Sequence, residues 1–374
     1  MKKGLNRNQI LLPRSTALPA FSIVLRKSLL ICLTFLWLVN GSTQKPFKRS
    51  LILPGGGFKM AMHLGSYHAM LQAGLEPDLI VGTCGGGLTA GIIEMFPDQP
   101  EAQLEFLLSP KVHRSLLEIH PTRHAKMFNF LYLIFNAENQ GRNKKFLRKF
   151  ILDVPQNLSI FDDSSFIPKT NRKSFATIIQ STEMVPGKES NFFQVFFTDP
   201  NTAEMLEGYE SKLGHKVKSE IKVISEFLLK EAVRAGITDP FLMAPFIKED
   251  RCFFTGAVDV LPFELTMMLS SETFFFFKND LQSLLDRFFK ATFGFKMMDK
   301  VLRQRDHHAD LVTDSIFGKD AEIDPGVILF AGIIPKVPYS YKRYREVMLR
   351  QYYISLNRSL EILQQQKGKN SAGN

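Results

Sequence analysis

Three cysteines and one tryptophan stand in a chain of 374 residues. Cys32, Cys84 and Cys252 are odd in number and far apart, and no C-x-x-C occurs. This argues against a disulfide framework and against a structural zinc site. No glycine loop carries the lysine and hydroxyl of a Walker A sequence, and no G-x-G-x-x-G is present, which argues against a nucleotide site. Zinc-finger, RNP-type and basic-region patterns are also missing, so the formal charge of +10 does not point to nucleic acid. The basic residues are scattered. They suit a solvated surface, with an anionic phospholipid surface as the sharper reading. No internal repeat is visible.

What remains is ordinary for a globular protein, with 45% hydrophobic and 22% charged residues. The length suits one large or two small domains. Residues 1–41 stand apart as a basic and then apolar segment. Arg26-Lys27 precedes the twelve-residue apolar run 28–39, shorter than the roughly 20 residues that span a bilayer. This is the layout of a signal peptide. An uncleaved anchor over 17–39, and a buried core helix, are the other readings. Export or membrane association is the expected localisation, ahead of the cytoplasm.

The informative stretch runs from Leu51 to Ile92. Ser50-Leu51-Ile52-Leu53 reads as a strand, Pro54 ends it, and Gly55-Gly56-Gly57 opens a loop before a helix over 60–73 with Gly74 as its C-cap. Such a loop exposes backbone N–H groups that can hold an oxyanion or a phosphate, or serves only as a tight turn. Asp78-Leu79-Ile80-Val81 reads as a second strand and Leu88-Thr89-Ala90 as the start of a second helix. Between them, Gly82-Thr83-Cys84-Gly85-Gly86 has the G-x-S-x-G spacing of a nucleophile elbow, with cysteine in the serine place.

Further along, 101–152 reads as helical. Within it, 128–135 is an apolar run for the core or an exposed lip, and 142–149 is a basic face for solvent or for phosphate headgroups. Strands are expected over 175–180, 192–197 and 251–254, with a Pro186-Gly187 turn before the second. An amphipathic helix is expected over 217–235, core packing for 274–277, helices over 279–305, strands over 309–312 and 327–330, a helix over 339–366 and a frayed tail to 374. Asp306-His307-His308 with Asp310 reads as a solvated turn rather than a metal site. Alternating strands and helices indicate an α/β fold with a mostly parallel sheet. Gly55, Cys84 and Thr255 all follow strand ends, which places them on one rim of that sheet.

Four pieces, in order, resemble the patatin-like phospholipase family. Pro54-Gly55-Gly56-Gly57-Phe58-Lys59, running on to His63-Leu64-Gly65, resembles the glycine-rich oxyanion loop and its helix. Gly82-Thr83-Cys84-Gly85-Gly86 resembles the G-T-S-A-G elbow. Lys230-Glu231-Ala232-Val233-Arg234-Ala235, with Pro240, Phe241, Ala244 and Pro245 beyond it, resembles the helix and proline-rich loop before the last motif. Thr255-Gly256-Ala257 with Leu261-Pro262 resembles the D-G-G or D-G-A motif. The likeness covers about 48–336 and leaves 337–374 as a C-terminal helix and tail.

The resemblance implies a three-layer sandwich, with a mostly parallel central sheet and helices on both faces. It implies a serine–aspartate dyad acting on lipid acyl esters at a phospholipid surface, with no cofactor and no metal. Carried over, Cys84 takes the nucleophile place, Gly55, Gly56 and Gly57 the oxyanion loop, and Thr255 the place of the aspartate. A thiol at a helix N-terminus has its pKa lowered and needs less help from a base. A threonine hydroxyl accepts no proton near neutral pH. Met60 stands where the family has a further glycine. Asp259 reads as a displaced base or as a cap for the next turn. His63 reads as structural.

Overall fold

The computed structural model describes residues 45–55, 59–121, 152–161, 164, 166, 175–185, 191–238, 243–254, 256–276, 289–290, 293–296, 299 and 339–372. The N-terminal segment 1–41, the apolar run 128–135, the basic face 142–149, the turn 186–187, the Asp-His cluster 306–310 and the strands expected over 309–312 and 327–330 lie outside the described residues, as does most of 279–305.

The backbone is an α/β chain. Its strands are β1 (Phe47–Leu53), β2 (Leu79–Thr83), β3 (His120–Pro121), β4 (Leu152–Asp153), β5 (Ala176–Val185), β6 (Asn191–Phe197), β7 (Lys222–Ile224), β8 (Phe246–Lys248), β9 (Arg251–Phe254) and β10 (Ser270–Phe275). Among the described residues its helices are α1 (Met60–Gln72), α2 (Gly85–Met95), α3 (Pro100–Leu107), α4 (Pro110–Leu117), α5 (Pro200–Glu204), α6 (Leu229–Ile237), α7 (Phe263–Leu269) and α8 (Tyr341–Ala372). Eight strands form one sheet in the order β10-β1-β2-β5-β6-β7, with β9 also on β5 and β8 beyond β9. The run β10-β1-β2-β5 is parallel, and β6 and β9 lie antiparallel to β5.

Both faces of the sheet are buried, and residues alternate between them along each strand. Ile80 and Ile179 enter the larger core, with Leu64 and Met70 of α1, Ile92 of α2 and Val233 of α6. Leu79, Val81 and Ile178 enter a smaller core with Tyr209 and with Leu265 and Leu269 of α7.

Helix α1 is buried almost all round, as expected of a helix covered on every side. Its end is a Schellman turn. Gly74 adopts φ +70, its N–H donates to the Leu71 carbonyl at 3.0 Å, and the Leu75 N–H donates to Met70 at 2.9 Å. Helix α8 crosses α1 at Gly65, where a Cβ would lie 2.5 Å from the Tyr352 carbonyl oxygen. Buried polar pairs hold this crossing. The Ser355 hydroxyl donates to Met62 O at 2.7 Å, and His68 Nδ1 meets the Tyr352 hydroxyl at 2.8 Å.

Three expectations need correction. Residues 217–235 are not one helix: Lys222–Ile224 is strand β7, and the helix begins at Leu229. The alternation Ile221-Lys222-Val223 carries the two-residue period of a strand, and the Leu228 N–H, donating to the Glu231 carboxylate at 2.9 Å, marks the helix start. Over 101–152, the described part is two short helices, each opened by proline at its first position, followed by strand residues. Phe274 and Phe275 are buried as expected, in strand β10 beside β1, and need no correction. The C-terminal helix runs on to Ala372, so 367–372 is not a frayed tail.

Candidate active site

Strand β2 ends at Thr83 and α2 begins at Gly85. The single residue between them, Cys84, adopts φ 51 and ψ −122, a region rarely entered by a residue with a side chain. The first helical bond follows at once, from the Leu88 N–H to the Cys84 carbonyl at 3.2 Å. The amides of Gly85, Gly86 and Gly87 occupy the first turn, where no carbonyl one turn back can receive them. The small residues around Cys84 are required by space. A Cβ at Gly82 would lie 2.8 Å from Gly86 O and from Ala90 Cβ. A Cβ at Gly86 would lie 1.9 Å from the Leu53 carbonyl oxygen. The end of β1 therefore rests directly on the first turn of α2.

That contact brings the glycine loop to the elbow. A Cβ on Gly55 would stand 3.4 Å from Cys84 Cβ. Gly56 and Gly57 lie outside the described residues. Both flanks of the loop are held. His63 is buried and hydrogen-bonds the Pro54 carbonyl; burial, aided by the Lys59 charge, lowers its pKa to about 3 against the opposing effect of that bond. It is neutral at any ordinary pH. On the far side, the Thr89 hydroxyl lies 3.3 Å from both Met60 O and Gly85 O, joining the start of α1 to the start of α2.

Strand register brings the third motif to the same place. β2 runs along one edge of β5 and ends with Thr83 opposite Gln180. β9 runs along the same edge from the opposite direction, with Phe254 opposite Thr182. The two strands therefore meet end to end over Ser181. Thr255 lies outside the described residues, but Phe254 and Gly256 on either side of it are placed. A Cβ on Gly256 would lie 3.1 Å from Thr83 Cγ2, next to the elbow. The 3-10 turn Gly256–Asp259 is fastened from β5, where the Gln180 side-chain amide donates to Gly256 O at 3.0 Å and to Asp259 O at 3.1 Å.

Asp259 is buried, and its carboxylate accepts from Gln194 Nε2 at 3.3 Å. Gln194 in turn accepts from the Ser211 hydroxyl at 2.8 Å. Burial, followed by the charge of Asp259, pushes the Tyr209 hydroxyl well above its ordinary pKa. Cys84 and Cys252 are not disulfide-bonded. Among the described residues, no cluster of three or more His, Cys, Asp or Glu could hold a metal, and no helix is long and apolar enough to cross a membrane.

Of the residues singled out from sequence, the structure brings Gly55 and Cys84 together, and it brings the turn that follows Thr255 up to Thr83. Sequence reasoning missed Gln180 and Thr89. Gln180 reads locally as the polar end of the mostly apolar run 175–179, and nothing near it in sequence names its partners.

No curated protein matches this chain. Among solved structures, VipD from Legionella pneumophila aligns with a TM-score of 0.35 and 11% identity, over 86% of this chain and 67% of that one, a likeness too weak to build on. The family model described as patatin-like phospholipase matches residues 51–267, which hold the glycine loop, the elbow, α6 and the turn after β9 and leave α8 outside. With that match over more than half its length, the chain belongs to the patatin-like phospholipase family.

Proposed function

We propose that this lipid acyl hydrolase fold acts on acyl esters, phospholipids among them, through a thiol at Cys84 and without the dyad carboxylate. The observation that carries this is the backbone of Cys84, at φ 51 and ψ −122 on a strand-to-helix turn with Gly55 against its Cβ. Strain at such a turn presents one side-chain atom over a helix N-terminus. In the proposed step, the sulfur attacks the acyl carbonyl carbon. The developing oxyanion is held by the first-turn amides of α2 and by the glycine loop, Gly55, Gly56 and Gly57. The alcohol leaves with the thiol proton, giving a thioester that water then cleaves. Thr255 cannot serve as base, and a lost general base lowers rate by about a hundred- to ten-thousand-fold. Ordinary Ser–Asp hydrolysis is therefore not the chemistry proposed. Purified protein should turn over a panel of short-chain and phospholipid esters, and Cys84→Ala should abolish that turnover. No turnover on the panel refutes the reading.

A second reading is favoured by the neutral residue at 255, namely a catalytically inactive fold that binds lipid or a partner. It expects lipid binding indifferent to Cys84→Ala, and activity appearing only in the double variant Cys84→Ser with Thr255→Asp. Export or membrane association through residues 1–41 completes the proposal. N-terminal sequencing of the mature chain and membrane fractionation test it, and an intact N-terminus in the soluble fraction counts against it.

A further inference from the structure

We propose that Gln180 is a positioning residue for the chemistry at Cys84, fastening the turn after position 255 against the elbow; this rests on the reading of Cys84 given above. Gln180 lies on central strand β5, opposite Thr83 on one side and Phe196 on the other, and is wholly buried. Its Nε2 donates to both ends of the 3-10 turn, Gly256 O at 3.0 Å and Asp259 O at 3.1 Å. Two carbonyl partners settle the orientation of the amide, since a flipped oxygen would face two acceptors. Among the described residues its Oε1 is buried without a partner, and so is Thr83 Oγ1 across the register.

An unmet acceptor in a central strand opposes folding, and a β-branched residue would pack there without it. The amide is therefore explained by its two donors. Packing and hydrogen bonding act together, because a Cβ on Gly256 would sit 2.3 Å from the Gln180 backbone oxygen and 3.1 Å from Thr83 Cγ2. The turn is pressed onto the residue that precedes the nucleophile, and Gln180 holds it there at both ends. On the other side of the same junction, the Ser181 hydroxyl donates to Ala235 O of α6 at 3.0 Å.

The test uses Gln180→Glu, which keeps shape but, when ionised, offers no N–H to the two carbonyls. Iodoacetamide alkylation is read at the Cys84 peptide by mass spectrometry, in the full chain, as a ratio to the unaltered protein. At alkaline pH, where a buried carboxyl facing two carbonyls ionises, the ratio should fall about tenfold, the effect of unmaking two buried hydrogen bonds at the wall of the site. Acidification protonates the glutamate, returns one donor and should raise the ratio toward one. Gln180→Met should show the same fall with no recovery in acid, because it titrates nothing. A purely structural role would lower thermal stability without that pH-dependent ratio. Should Gln180→Glu not fold, Gln180→Asn keeps an amide of shorter reach and is expected to give an intermediate fall. Folded variants that alkylate as fast as the unaltered chain, or faster, at every pH overturn the proposal. Alkylation needs no turnover, so ester hydrolysis measured alongside separates the two readings. Gln180-dependent alkylation with no hydrolysis sinks only the working nucleophile, and Cys84-dependent hydrolysis indifferent to Gln180 sinks only the positioning role.

Discussion

Gly86 and Gly87 are neighbours in the first turn of α2, yet alanine should have opposite effects at the two positions. At Gly86 the added Cβ meets Leu53 O at 1.9 Å, Leu53 C at 2.4 Å and Pro54 O at 2.6 Å. All three are backbone atoms at the end of β1, and no side chain can swing away. Ordinary contact begins at 3.4 Å, so the strand end and the helix must part by about 1.5 Å. Overpacking of this kind costs about 3 kcal/mol, at the upper end of the usual range because only the backbone can yield. That lowers the melting temperature by roughly 6–12 °C for a domain of a few hundred residues. The displaced segment is the entry to the glycine loop, whose Gly55 lies beside Cys84, where an added Cβ would come within 3.4 Å of Cys84 Cβ. Misplacement by about 1 Å can reduce a reaction there about a hundredfold. At Gly87 the nearest atom to a Cβ is Ile179 Cγ2 at 3.4 Å, an ordinary contact. Alanine fits there, and its higher helix propensity adds up to about 1 kcal/mol. Thermal unfolding followed by circular dichroism, with Cys84 alkylation alongside, measures both effects. Gly86→Ala melting within about 2 °C of the unaltered chain, with the same Cys84 reactivity, would show that β1 does not rest on the elbow.

Three further outcomes are expected. Gly65→Val places a Cβ 2.5 Å from the Tyr352 carbonyl and 3.0 Å from the Leu356 N–H, so α8 must lift from α1, at about 3 kcal/mol; an unchanged denaturant midpoint would contradict the close crossing. The wholly buried Arg234 guanidinium donates to Pro155 O at 2.7 Å, Val154 O at 3.0 Å and Ala244 O at 2.8 Å, and also bonds Thr238; Arg234→Met leaves those carbonyls without donors and should lose about 3 kcal/mol in the same assay, while a loss below about 1 kcal/mol would contradict the clamp. His63 has a folded-state pKa of about 3 against 6.5 when exposed, so between those values the unfolded chain binds a proton that the folded chain refuses. Stability therefore rises with pH across that window and is lost as pH falls through it, by up to about 1.4 kcal/mol per unit. His63→Gln should flatten that slope and move the acid-unfolding midpoint lower, and an unmoved midpoint would mean that His63 is not held neutral.

The parts of the site that were legible in the sequence are those made by neighbours in the chain. The elbow needs only five consecutive residues, and Gly82 and Gly86 mark it because each lies where a side chain would strike backbone or a helix neighbour. The loop after β1 is likewise local. The union of the three motifs is not local, because it depends on register. Thr83 stops opposite Gln180 and Phe254 stops opposite Thr182, so two strands from distant parts of the chain halt one residue apart on a shared edge of β5. A slip of one residue in either pairing would turn the elbow or the turn to the other face of the sheet. Nothing in the local pattern of β2 or β9 states that register. It is fixed by contacts such as the Gln180 amide on Gly256 and Asp259, which join residues more than seventy positions apart. Strand β10 and the split of 217–235 into strand and helix escaped for the same reason. Segments this short carry too few residues for their period to decide, and the neighbouring strand selects their conformation. In this chain the turn that carries Cys84 is written locally and its surroundings are written in the pairing of the sheet. A substitution at Gln180 is therefore expected to reach the site indirectly, through the turn it fastens, where one at Cys84 acts on the elbow itself.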